Sequence, residues 1–162
     1  VSAFTGRAIG LVFAGLWLVL GATALPLPWC YLVGGLGFVV IGALLWRAWR
    51  MDEPRTGLFR MPRYRIAVIA EFAAIALAQA MLARFGLSAY LLPVVGVLVG
   101  LHFVGLWWAG GGTRYLGLAA TMTAIDGAAL VLLSPGRPAM QAVAGLGSAA
   151  ALAYFAGTGR RQ

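Results

Sequence analysis

The amino-acid sequence predicts an all-α integral membrane protein, with six transmembrane helices in three sequential hairpins and both termini on the cytoplasmic side. Of its 162 residues, 62% are hydrophobic and only 10% are charged. A soluble domain carries roughly 25% charged residues, so the chain lacks the polar surface a water-soluble fold of this length needs. The mean hydropathy of +0.93 agrees. Six apolar stretches of about 18 to 20 residues recur along the chain, each close to the length that spans a bilayer core. The basic residues sit between these stretches, not within them.

The first stretch runs from Ala8 to Leu25 and is closed by Pro26 and Pro28; the second runs from Trp29 to Trp46. The segment from Arg47 to Arg65 is the one long connection and holds Arg47, Arg50, Arg55, Arg60, Arg63 and Arg65 together with Asp52 and Glu53. The third stretch, Ile66 to Ala83, turns at Arg84 to Ser88 into the fourth, Ala89 to Trp108. Gly110, Gly111 and Gly112, followed by Thr113 and Arg114, stop the fourth; the fifth covers Leu116 to Leu133. Ser134 to Pro138 leads into the sixth, Ala139 to Ala156. The runs are too long for tilted barrel strands and do not alternate, so helices are the expected spanning form. Short connections make sequential helices antiparallel neighbours. Arg7, the apolar run after it and Ala22-Thr23-Ala24 also fit a cleavable signal peptide, but the run is long enough to span and is read as a helix of the bundle.

Orientation follows from the arginines. Arg7, the six of the long connection, Arg114, Arg160 and Arg161 fall on one side, and Arg84 and Arg137 on the other. A ten-to-two split places the first group in the cytoplasm by the positive-inside rule. Trp46, Trp49, Trp107 and Trp108 then mark the inner boundary, and Trp29, Tyr31 and Tyr90 the outer one. All twelve basic residues are Arg, and the chain is rich in Ala and Gly, a usage typical of a GC-rich bacterial genome. The expected location is a bacterial inner membrane. The net charge of +8 does not indicate nucleic-acid binding, because these charges enforce topology and do not form a soluble basic face. Cys30 has no internal partner for a disulfide and reads as a small apolar filler.

Small residues mark the expected helix contacts: Gly96 and Gly100 in helix four, Ala70, Ala74 and Ala78 in helix three, Ala144 and Ser148 in helix six. In lipid they allow close backbone approach, within one chain or between copies. A faint repeat runs through the first two hairpins, with Arg7 preceding Tyr31 by 24 residues and Arg65 preceding Tyr90 by 25.

Three ionisable residues lie inside apolar stretches, where each costs roughly 2.5–3.5 kcal/mol on insertion scales. Glu71 is six residues beyond Arg65, and His102 six before Trp108, so each is expected about 9 Å inside the cytoplasmic boundary. Helices three and four are neighbours in the expected hairpin, so a Glu71–His102 pair is geometrically reasonable. Asp126 falls near the midplane, with Gln79 at a similar level and Thr121 and Thr123 just below. Together these residues read as a polar ladder suited to a proton relay or a solute counter-charge. Each also has a structural reading, as an interhelical or backbone hydrogen bond. Proline at Pro93 is expected to interrupt helix four and free backbone groups.

Other chemistry has little support. One His and one Cys do not make a metal site, and a haem on His102 lacks a second ligand, so neither metal nor cofactor is expected. The glycine triplet opens no phosphate-binding motif, and Ser88, Ser134 and Ser148 have no sequence-visible base. The Arg-rich connection, with Trp46, Trp49, Phe59 and Tyr64, suits anionic lipid or a cytoplasmic partner. The leading expectation is a small membrane protein that binds or moves a proton or small solute at Glu71, His102, Asp126 and Gln79. The second is a non-catalytic subunit that assembles with copies of itself or with another membrane protein. The third, an enzyme acting on lipid, requires Glu71, His102 and Asp126 to converge on one cavity.

Overall fold

A computed structural model describes residues 3–50, 61–135 and 137–158. Among these, the chain forms six α-helices: α1 (Ala3–Ala22), α2 (Trp29–Arg50), α3 (Pro62–Arg84), α4 (Leu91–Trp108), α5 (Arg114–Leu132) and α6 (Pro138–Gly157). A single 3-10 turn, Ser88–Tyr90, leads into α4. All six helices are long and apolar enough to cross a membrane, which makes this a multi-pass membrane protein.

Local chemistry explains where the helix ends depart from the hydropathy boundaries. α3 begins at Pro62 and α6 at Pro138, each preceded by an extended residue, Met61 (φ −76°, ψ 133°) and Arg137 (φ −77°, ψ 140°). Proline fits the first helical position because its missing N–H would be unpaired there, and it drives the preceding residue out of the α region. α2 continues one turn past Trp46 and carries Arg47 and Arg50 at its C-terminal end, where cations complement the helix dipole. Gly86 (φ 69°) and Gly110 (φ 101°) adopt the left-handed conformation just after α3 and α4. The Leu87 N–H bonds the Leu82 carbonyl and the Gly111 N–H bonds the Leu106 carbonyl, so both helices close in Schellman motifs.

Pro93 does not interrupt α4. It is the third residue of a continuous helix, is buried, and lies in the first turn, where its missing N–H has no intrahelical carbonyl to meet. The expected break is therefore absent, and Pro93 acts as a helix start.

α1 packs most extensively on α6, and α4 on α5; α1 on α2, α5 on α6 and α3 on α4 follow. Glycine makes the two main seams. Gly21 of α1 and Gly145 of α6 bring their backbones together so closely that neither has room for a Cβ. Gly10 meets Ala156 further along the same seam, so α1 and α6 run antiparallel. Gly96 and Gly100 of α4 face Asp126 and Thr123 of α5 in the same way, so this small-residue pair serves packing within the chain. The apolar core lies chiefly among α1, α5 and α6, around Ala14, Trp17, Leu118, Met122, Ala149 and Leu152. α2 and α3 lie at the periphery; α3 has no buried residue, and α2 only Ala48.

Candidate functional site

α3 and α4 approach closely where Gly105 stands against Ala67. Four residues beyond Ala67, one turn along α3, Glu71 faces α4. His102, three residues before Gly105, faces back. The carboxylate oxygen Oε2 of Glu71 is 3.3 Å from Nδ1 of His102, with side chains only 15% and 10% exposed. The same Nδ1 is 3.4 Å from the Ala67 carbonyl oxygen. In the tautomer with a proton on Nδ1, that N–H has both a carboxylate and a main-chain acceptor within reach. The edge of the His102 ring meets Phe103 at 5.8 Å between centroids.

The Glu71–His102 pair forms part of the wall of a cavity of about 320 Å³ lined by every helix except α2. Arg7, Tyr64, Arg114 and Tyr115 line one end, contributed by the first two turns of α1, α3 and α5. Apolar residues, among them Phe13, Phe72, Val99 and Leu152, line the other. The Arg114 guanidinium lies 5.4 Å from the Tyr115 ring centroid, and Tyr115 stacks on Phe103 at 6.2 Å. The cavity therefore has arginines and tyrosines at one end, and apolar residues together with the Glu71–His102 pair further in.

Asp126 belongs to a different centre. It is fully buried, and Ser148 of α6 donates its hydroxyl to Oδ2 at 2.7 Å. Oδ1 has no hydrogen-bond partner among the described residues. Gly96 of α4 closes over the carboxylate, leaving no room for a Cβ. Gly96 and His102 are six residues apart, which is about 9 Å of rise and roughly 240° around the helix. The two centres thus lie on different sides of α4, and Asp126 does not line the cavity.

The expected polar ladder is accordingly corrected. Glu71 and His102 meet, but Asp126 turns into the α4–α5–α6 packing. Gln79 lies on an exposed face of α3, outside the cavity lining. Thr121 donates to the Gly117 carbonyl of its own helix at 2.8 Å, and Thr123 packs against Gly100. Such a back-bond satisfies a hydroxyl without any partner helix. The three ionisable residues therefore do not converge, as the lipid-enzyme reading required. Ser148, for which the sequence showed no neighbouring base, donates to the Asp126 carboxylate. The Gln141 side-chain amide donates to the Ala89 carbonyl at 2.8 Å, tying α6 to the 3-10 turn.

Of the Arg-rich connection, Arg47, Arg50, Arg63 and Arg65 are described and exposed. Arg50 lies 4.7 Å from the Trp46 ring centroid and Arg63 5.2 Å from that of Trp108. Arg55 and Arg60, with Asp52, Glu53 and Phe59, lie outside the described residues. Arg7, Arg114, Tyr64 and Tyr115 are the site residues that sequence reasoning did not assign to a cavity. Each lies near the N-terminal end of its helix, a signal that reads first as topology.

Comparison with known protein families, with curated proteins and with solved structures finds no match to this chain.

Proposed function

We propose that this protein is a small carrier-type membrane protein that binds a solute in the cavity among α1, α3, α4, α5 and α6, with Glu71 and His102 linking occupancy to a proton. The observation that carries this reading is the Glu71–His102 pair, 3.3 Å apart in the wall of a cavity of about 320 Å³. That volume lies at the small end of the ~300–1,000 Å³ range of small-molecule sites. An ionisable pair inside a membrane-spanning bundle is costly, and a site that exchanges protons gives a reason to keep it. Asp126 supports the scaffold of the site through Ser148, and Gln79 stands apart from it.

In this reading the helices form three sequential hairpins in a bacterial inner membrane, with both termini and the cationic end of the cavity in the cytoplasm. The ten-to-two arginine distribution supports the orientation. Proton flux into proteoliposomes, followed with an internal pH dye, tests the function. Wild type should acidify the lumen under an imposed gradient, and Glu71→Gln should reduce the rate roughly tenfold or more. Equal rates in the two proteins would remove Glu71 from the mechanism.

A second reading, an assembly subunit, is favoured by the outer face of α2. Gly35 and Gly42 have open space where a Cβ would stand, and no residue of α2 except Ala48 is buried. It expects a stable partner in mild detergent and unchanged assembly in Glu71→Gln.

A further inference from the structure

The Glu71–His102 pair leaves two of its four polar atoms without a hydrogen bond. Those atoms narrow the class of solute, an inference that rests on the reading of this cavity as a binding site. Nδ1 of His102 and Oε2 of Glu71 face each other at 3.3 Å. The second carboxylate oxygen, Oε1, and the far ring nitrogen, Nε2, make no hydrogen bond among the described residues. Neither is sealed, since Asp126 Oδ1 is the one buried side-chain atom without a partner among those residues. An oxygen and a ring nitrogen therefore border the cavity, in a wall that their helix neighbours Val68, Phe72, Val99 and Phe103 make apolar.

The arginines at the other end do not call for an anion. Arg114 lies over the Tyr115 ring, and Arg7 already has an interaction within the chain. Their charges still disfavour a cation in the same lining. Ile9 and Phe13 of α1 and Phe72 of α3 border the cavity yet are 42%, 46% and 64% exposed. α1 and α3 do not pack extensively on each other, which leaves a lateral approach from the bilayer between them. A solute arriving that way crosses hydrocarbon, where a net charge is strongly disfavoured. It must nevertheless bring a hydrogen-bond donor, because an ionised carboxylate only accepts. With the ring proton on Nδ1, Nε2 accepts as well; with both ring nitrogens protonated, Nε2 donates. A hydroxyl donates one hydrogen and accepts on its oxygen, so it serves the carboxylate in either state.

We propose that the cavity admits an uncharged, lipid-soluble alcohol or phenol between α1 and α3 and holds its hydroxyl at the Glu71–His102 pair. The apolar body of the solute lies against Phe13, Phe72 and Phe103. Binding then places the hydroxyl on the same atoms that hold the exchangeable proton, which is how occupancy and protonation are linked.

The test is equilibrium binding of isotope-labelled naphthol to the full chain in nanodiscs, with empty nanodiscs subtracted. Binding should saturate and be displaced by excess unlabelled naphthol. Naphthalene, naphthoate and naphthylmethylammonium at the same concentration should not displace it. His102→Phe keeps an aromatic ring but removes both ring nitrogens, and should weaken binding roughly tenfold, the effect of losing one hydrogen bond. Val68→Trp is the second variant. Val68 lines the cavity three residues before Glu71, so the larger side chain has that space to enter. It should abolish binding while the circular dichroism spectrum stays helical. Equal displacement by naphthalene, or unchanged affinity in His102→Phe, would overturn the role of the hydroxyl. Displacement by naphthoate or naphthylmethylammonium would overturn the uncharged class in favour of an anion or a cation. Binding indifferent to Val68→Trp would overturn the placement in this cavity. No saturable binding would overturn the proposal alone, since Glu71-dependent proton flux tests the parent reading separately.

Discussion

Glu71 and Asp126 are both carboxyl groups within apolar helices, yet their neighbours give them different work. Glu71 has a titratable partner and borders the cavity. Asp126 is sealed, with one oxygen held by Ser148 and Gly96 against the carboxylate. That hydrogen bond ties α5 to α6. Ser148→Ala removes the donor and leaves a buried acceptor unmatched, at an expected cost of about 1–2 kcal/mol. The thermal midpoint in detergent should fall by several degrees, while Glu71-dependent proton flux per folded molecule stays unchanged. Asp126→Asn keeps an acceptor for Ser148 and should lose less stability than Ser148→Ala. A flux defect in Ser148→Ala at full stability would move Asp126 from scaffold to site. Sequence spacing found Glu71 and His102 because their depths depend only on helical rise and their helices are consecutive. It did not find Ser148, because α5 and α6 were known to adjoin but their mutual rotation was not.

At the scale of the helix, the seams depend on residues without side chains. Gly96 stands where α4 meets Asp126, and Gly145 where α6 meets α1. A methyl group at either must push a backbone or a buried carboxylate aside, and overpacking of this kind costs about 1–3 kcal/mol. Gly42 of α2 faces open space, and alanine there gains up to about 1 kcal/mol of helix propensity. Thermal unfolding in detergent should therefore rank Gly96→Ala and Gly145→Ala well below wild type, with Gly42→Ala equal or above. If Gly42→Ala destabilises as much as Gly96→Ala, the outer face of α2 is covered in the native assembly, which is what the subunit reading requires. The glycine spacing in α4 was visible as a pattern. Its partner was not, since the same pattern serves contacts within a chain and between chains.

At the scale of the whole molecule, Arg114, Tyr115 and Tyr64 of the cavity lining lie at one end of the bundle, so orientation decides which side of the membrane that end faces. Gly112 and Ser134 are exposed in the connections at opposite ends of α5. In a Cys30→Ser background, a membrane-impermeant maleimide should label Ser134→Cys from outside intact spheroplasts. Gly112→Cys should be labelled only after lysis. The reverse pattern would place Arg7 and Arg114 on the outer side and overturn the arginine count as a guide. The arrangement itself has α1, α4, α5 and α6 at the centre, with α2 and α3 as flanks. The strongest seam joins the first helix to the last.

Composition and hydropathy alone determined that this chain enters a membrane as six helices, because every apolar stretch must satisfy its own backbone there. Proline and glycine set the helix ends for equally local reasons, fixed φ and the left-handed conformation. Pro93 was misread because the start of α4 lies only two residues before it, and a proline in the first turn breaks nothing. Tertiary structure decided which ionisable residues share a space. In a bundle that question turns on the rotation of each helix about its axis and on which distant helices adjoin. In lipid, hydrophobic residues on every side leave little amphipathic signal to fix that rotation. Close packing at Gly21–Gly145 and Gly96–Asp126 fixed it instead, bringing Arg7, Glu71, His102 and Arg114 around one cavity and excluding Asp126 from it.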